Sequence, residues 1–424
     1  MATNLLTPIL NDLTRSVNFF NGRLLTGEDL TTEQRAARAT RALLGQAAGD
    51  GVAFGLEVSA SAAGTITAPV VTIKQGLALN RNGGSLFLSK DTDIGLVRPA
   101  TTTPASGSTI FQDCTPVQSG PYVAGAGVYL LTVGPASGTQ GLAEVSGIGT
   151  SKSPCNSKYN TDGVQFRLIP IDLTIAELDD ANHLRNLVAY KCFNPAGWTS
   201  FLSDPFGDAS GFGSSGLIDQ LRASQLLTDC EVPLATLFWT ATGGLLFVDN
   251  WSARRPIIPR GSQSPWGPLT NPRHAAEGLA MFLQFQAQVG DMLQFGAGAT
   301  PLISVVATDY FNFLPPVGII PIGSVKGSNG FDYLQFFTGR TYQGPTFIEG
   351  AVLQRLVSTA ALFPPIDFSN AEMIWLYRER ENMESIATTN SSPAQAFMVF
   401  TNGHVPFAGE AQYNLNYFNY ANYV

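Results

Sequence analysis

Three histidines, at 183, 274 and 404, are the natural starting point for any chemistry in this chain. None stands in HxxxH, HExxH or HxH spacing, so a zinc site or a histidine general base needs a partner remote in sequence. His183 falls on an expected helix and His274 near the start of another, and both are expected to be structural. Four cysteines, at 114, 155, 192 and 230, form no CxxC pair. That spacing argues against a thiolate metal site, and four free thiols are expected, although Cys114 and Cys155 flank one Gly/Ser-rich region and can lie close. Gly211-Phe212-Gly213-Ser214-Ser215-Gly216 matches GxGxxG, but SFLSDPFGDAS before it reads as loop. A pyrophosphate turn needs a strand there, so a connector is the better reading. No GxSxG or GxxxxGK[ST] occurs. Asp91-Thr92-Asp93 and Asp179-Asp180 are the tightest acidic groups and lack the spacing of a calcium loop. No catalytic, cofactor-binding or metal-binding residue is assigned.

Binding chemistry is better represented. Phe19, Phe20, Arg23 and Leu24 precede Thr26-Gly27-Glu28-Asp29, a threonine N-cap with an acid three residues on. An aromatic pair ahead of a capped helix suits an anchor for a partner without a deep pocket. A second aromatic set closes the chain: Tyr413, Tyr417, Phe418, Tyr420 and Tyr423 alternate with Asn and small residues, with no charged side chain after Glu410. Tyr offers a large apolar face and one hydrogen bond, which suits interfaces. Both sets are expected to bind other subunits; packing on their own domains is the competing expectation.

The elements that must carry these groups are short and numerous. A helix is expected over 27 to 44, ending near Gly45, with acids at its start and Arg35, Arg38 and Arg41 toward its end. Val52, Phe54, Leu56 and Val58 alternate as one strand. Val70–Ile73, Leu77–Leu79 and Leu86–Leu88 are further strands, the last two joined by an Asn82-Gly83 hairpin turn. A strand over 128 to 133 leads into an expected long loop over 134 to 163, then a strand over 164 to 173 and a helix over 179 to 191. A short helix over 216 to 227 precedes a hairpin of 233 to 239 with 245 to 251. Arg254-Arg255-Pro256 and the run to Pro272 read as a linker. Beyond it come a helix over 273 to 294, strands over 302 to 306 and 317 to 322, a helix over 347 to 362, and strands over 373 to 377 and 397 to 400. No internal repeat is visible.

The totals agree with an α+β chain of several small antiparallel β units with interspersed helices. The 43 glycines and 26 prolines in 424 residues make it turn-rich. Only 13% of residues are charged, about half the usual share, which suggests that much of the surface is covered in the working state. Net charge is −8 with no basic stripe, which excludes a nucleic-acid backbone as partner. MATNLLTPILNDLTRSVNFF lacks a signal-peptide pattern and no apolar run is long enough for a membrane span. Cytoplasmic assembly is therefore expected.

VNFFNGRLLTGEDLTTEQRAAR followed by GVAFGLEV resembles the opening FFNGxLLTxEDLxxEQ and GLEV blocks of bacterial structural proteins of contractile injection systems and related phage-tail-like particles. GVQFRLIP, DCEVPLATLFW, FVDNWSARRP, YFNFLPPVGIIPI, GPTFIEG and EMIWLYRERE are similar to further blocks, so the likeness spans about residues 18 to 380. Ala36, Ala37, Ala39 and Ala42 stand where that group carries more His and Arg. The resemblance implies a non-enzymatic, homo-oligomeric component of a baseplate, fibre, cap or outer shell, bound to other particle subunits and released with the particle. A receptor- or glycan-binding tail-tip protein, contacting a cell-surface glycan, is the alternative, and a tail-spike glycan hydrolase is a third. The expected units are an arm over 1–17, a docking helix with a β unit over 18–100, a central α+β domain over 101–260, a C-terminal α+β domain over 261–410 and the aromatic tail over 411–424.

Overall fold

The computed structural model describes residues 14–97, 127–144, 155–198, 216–258, 272–298, 300–323, 329–380 and 396–403. The fold is α+β, with helices set against several small, mainly antiparallel sheets.

The first helix, α1 (Gly27–Ala48), begins where its cap demands. Thr26 accepts from the Asp29 N–H, and the Asp29 carboxylate accepts from the Thr26 N–H, closing a capping box. The helix runs past Gly45 and stops at Gly49, whose φ of 106° only glycine adopts freely. Gly45 is thus an interior residue and not the terminator expected from its type.

Behind α1 lie β1 (Gly51–Gly55), β2 (Val58–Ala60), β3 (Val70–Ile73), β4 (Gly76–Leu79), β5 (Ser85–Leu88) and β6 (Thr92–Gly95). They form two three-stranded antiparallel sheets, β1-β4-β5 and β2-β3-β6. The expected single strand over 52 to 58 is broken in two. A bulge follows Val52, and Leu56, buried, takes φ 60° so that the chain can leave one sheet for the other. Asn250 clasps the junction: its side-chain amide donates to Val58 O at 2.9 Å and its carbonyl accepts from Val58 N at 2.8 Å.

The middle of the chain forms β7 (Gly127–Glu144), β8 (Cys155–Ile171), β9 (Val232–Thr240) and β10 (Gly244–Asp249), in the order β10-β9-β7-β8. The expected loop over 134 to 163 is therefore wrong for its described residues. They form the outer half of one long antiparallel strand pair, in register from Val128↔Ile171 to Glu144↔Cys155 except at Gly141 and Lys158. β9 accompanies β7 only as far as Val133, so the rest projects as a two-stranded arm. The even-numbered residues Val164, Phe166 and Leu168 of β8 pack with Val71, Ile73, Leu86 and Leu131 in a core shared with the β1 to β6 unit. Odd-numbered Ile169 and Ile171 face the other side, against Leu184 and Val188.

The expected helix over 179 to 191 is two: α2 (Ile175–Asp179), with its own Thr174/Glu177 capping box, and α3 (Leu184–Phe193). α4 (Leu217–Ala223) follows. Arg254 and Arg255 are no linker. Arg254 is buried and Arg255 partly buried; Arg255 lies 4.5 Å over the Phe193 ring and donates to the Trp251, Ser252 and Arg254 carbonyls. Val52 N donates to Arg255 O, and Asp50 bridges to Ile258, pinning this stretch to β1.

In the last third, α5 (Pro272–Phe295) packs over a sheet of β12 (Val317–Pro321), β16 (Phe397–Asn402), β15 (Met373–Glu379) and β13 (Thr341–Ile348). β13 runs parallel to β15 and lies where no strand was expected. A two-stranded sheet pairs β11 (Phe313–Leu314) with β14 (Ile366–Asp367), and α6 (Tyr333–Phe336) and α7 (Gly350–Ala360) complete the described elements. Phe285, Phe311, Phe336, Phe337 and Phe400 interlock in edge-to-face and tilted contacts in its core, with centroid separations of 5.0–6.2 Å. Leu302–Ser304 is a turn of 3-10 helix begun by Pro301, not the strand expected over 302 to 306.

Candidate functional site

The N-terminal element is built from a few polar contacts that hold an apolar display. Asn21 and Gly22 turn the chain, with Arg23 N donating to Phe20 O at 3.2 Å; Gly22 sits at φ 91°. Arg23 folds back across this turn. One guanidinium nitrogen donates to Asn18 O at 2.7 Å and another to Asp29. Val17 N donates to Glu33 at 3.1 Å. The Thr26 backbone N–H and hydroxyl, and then Arg23, hold the Asp29 carboxyl below its usual range. Arg23 is thus a positioning residue for the turn.

What the turn presents is apolar. Phe19 is 54% exposed, Phe20 64% and Leu24 87%; Leu25, Leu30, Leu43 and Leu44 are also at least half open. Along the 22 residues of α1 only Ala36 is buried. Two of its contacts tie the helix to the β elements behind it. Arg38 reaches Asp162 on the β8 arm at 3.1 Å. Near its end, α1 crosses the β4–β5 turn backbone to backbone: a Cβ on Gly45 would lie 2.2 Å from Gly83 O, and one on Gly83 1.9 Å from Ala42 O. Gln46 caps the crossing with a bond to Asn82 O. Of the residues singled out in the sequence, the structure brings Phe19, Phe20, Arg23 and Leu24 together on this one element. Tyr413, Tyr417, Phe418, Tyr420 and Tyr423 lie outside the described residues, as do His404, Cys114 and most of the GxGxxG segment.

The remaining reactive groups are committed elsewhere. His183 spans Asp180 and the Thr308 carbonyl, each at 2.8 Å. His274 stacks on Trp198 at 4.5 Å, and burial, then the neighbouring Arg273, push its pKa down to about 3. Cys192 is a buried free thiol pushed up to about 12 by desolvation. Cys230 is disulfide-bonded to a partner outside the described side chains, which corrects the expectation of four free thiols. Among the described residues no three of His, Cys, Asp and Glu converge as a metal site. Among the described helices none is long and apolar enough to cross a membrane.

One groove of about 630 Å³ opens between β2, β10 and the end of α5, walled by Leu246, Phe247, Met292 and Phe295. Its one buried cation, Arg185, is held between Asp249 and Asp291. The groove wall is mainly apolar, and its one cation is paired with two carboxylates. Its walls are remote from one another in the chain, so no local sequence pattern marks it.

No protein-family model matches this chain, and no curated protein matches it.

Proposed function

We propose that this chain is a structural, non-enzymatic subunit of a phage-tail-like contractile injection particle, joined to a neighbouring subunit through its N-terminal element. The observation that carries the reading is the display on α1 and the turn before it: seven large apolar side chains half or more open, on a helix that buries one alanine. Together they offer on the order of several hundred Å² of apolar surface, a large share of the ~800 Å² that a standard interface takes from each partner. Polar contacts within the turn pre-order this display, so little entropy remains to be lost on docking. The sequence blocks that resemble those of tail-particle proteins support reading the neighbour as another particle subunit.

The test is the double substitution Phe19→Ser with Phe20→Ser. Both rings are open to solvent, so the purified variant should keep the wild-type melting temperature. It should be missing from particles sedimented from the producing cells. Full incorporation of the double variant would overturn the assignment of this element as the docking site.

A further inference from the structure

The projecting arm offers a second and independent contact. Beyond Val133↔Val232, β7 has no partner but β8, and β8 is an edge strand along its whole length among the described residues. The arm continues for about eleven rungs, some 36 Å at the strand rise. Such edges are normally blunted, because their open N–H and C=O groups template another strand. The β7 edge is blunted in that sense: Pro135 removes a donor, and Gly138 and Gly141, the latter at φ 69°, interrupt it. The outer edge of β8 carries no proline between Cys155 and Ile169 and one glycine, Gly163; its guards are the charges of Lys158 and Asp162, which repel a strand of the wrong register and admit one of matching charge.

The side chains there have a pattern with a dyad in it. Lys158, Asn160 and Asp162 are exposed and share one face of β8, the face that carries Val164 and Phe166 further down. Lys158 and Asp162 stand two residues either side of Asn160 and carry opposite charge. An antiparallel pairing of two such edges about Asn160 sets Lys158 of each copy directly opposite Asp162 of the other. Directly opposite charged pairs of opposite sign stabilise a ladder, and like pairs oppose it. Shifting the register by two residues in either direction breaks the match. The Asp162 side chain is 62% exposed even with Arg38 bound to it, so it has room for a second cation.

We propose that two copies of this chain pair through the outer edges of β8, antiparallel about a two-fold axis at Asn160. The four-stranded sheet of each copy then continues into the other. The axis stands perpendicular to that sheet, so both α1 helices, tied to Asp162, come to one face of it. The pairing stands apart from the particle assignment: it is a property of the purified chain.

Light scattering on the full-length protein should show a concentration-dependent dimer. Lys158→Asp should weaken it about tenfold, since both symmetry-related pairs become repulsive. Asp162→Lys should do the same, and the double variant Lys158→Asp with Asp162→Lys should restore wild-type association. In an otherwise wild-type chain, Asn160→Cys should oxidise to a disulfide-linked dimer, because opposite Cβ atoms approach to about 5 Å. Gly163→Cys, whose opposite residue is Ser157, should not. A monomer at every concentration, a charge-swapped double variant no better than the single ones, or equal cross-linking at the two positions would each overturn the proposal.

Discussion

Gly45→Ala is the substitution on which the architecture makes its sharpest demand. In an isolated helix this change stabilises by about 1 kcal/mol, since glycine carries the larger backbone entropy loss. Here the added Cβ would stand 2.2 Å from Gly83 O and 2.8 Å from Gly83 Cα. Both obstacles are backbone, so no rotamer change relieves the overlap. α1 must lift off the β4–β5 turn or tilt across it. Little of the global core is at stake, because Ala36 is the one buried residue of the helix. The loss is local: the Gln46–Asn82 bond, the Arg38–Asp162 pair and the close backbone contact, together about 1–3 kcal/mol. Hydrogen exchange resolved by peptide should therefore show α1 amides losing protection by roughly ten- to a hundredfold, while β9 and β16 keep theirs. The midpoint of thermal unfolding should move by only a few degrees. Unchanged protection in α1, or a raised melting temperature, would refute the steric reasoning and show that helix propensity outweighs the backbone overlap.

Two further outcomes are expected. Asn250→Ala removes both bonds to Val58 and leaves its N–H and C=O without their partner, so urea unfolding should show a loss of about 2 kcal/mol; a change under about 0.5 kcal/mol would mean that the clasp is dispensable. His274 is held neutral by burial, with its pKa lowered to about 3 against 6.5 when unfolded. The unfolded chain therefore binds the extra proton between those values, and stability falls as pH drops below 6.5, by at most about 1.4 kcal/mol per unit from this group. His274→Phe, which keeps the stack on Trp198, should lose less stability than wild type between about pH 6.5 and 4; parallel pH profiles would rule His274 out as the source.

The parts legible in the sequence were those whose cause is local. Thr26 and Asp29 are three residues apart, and the capping box they form needs nothing else. Asn82-Gly83 encodes its turn by its own backbone preferences. The arm was not legible, for a physical reason. Hydrophobic alternation reports a buried face, and between 157 and 163 both faces of β8 are open, so the Gly, Ser, Thr and Asn there carried a loop-like composition into a paired strand. Arg254 and Arg255 were misplaced because charge at a Pro-rich junction usually means solvent. Their burial depends on Phe193, Gly55 and Glu57, none of which is near them in the chain. Of the candidate docking residues, Phe19, Phe20 and Leu24 stand exposed as a docking role requires, whereas Arg23 turns inward to hold the turn.

The core shared by β3, β5, β7, β8 and β9 also sets a timetable. Val71, Ile73 and Leu86 are complete in the chain long before Leu234 and Leu237, against which they pack. Roughly 140 residues separate the end of the first β unit from the last strand that seals it, which at ribosomal speed is on the order of 10–30 s. α1 and the turn it crosses are both made within the first 88 residues. α1 can therefore settle on Gly83 while the apolar face behind it still waits for its lid. A nascent chain in that interval exposes the open side of α1 and the unsealed core face at once, until β9 is made.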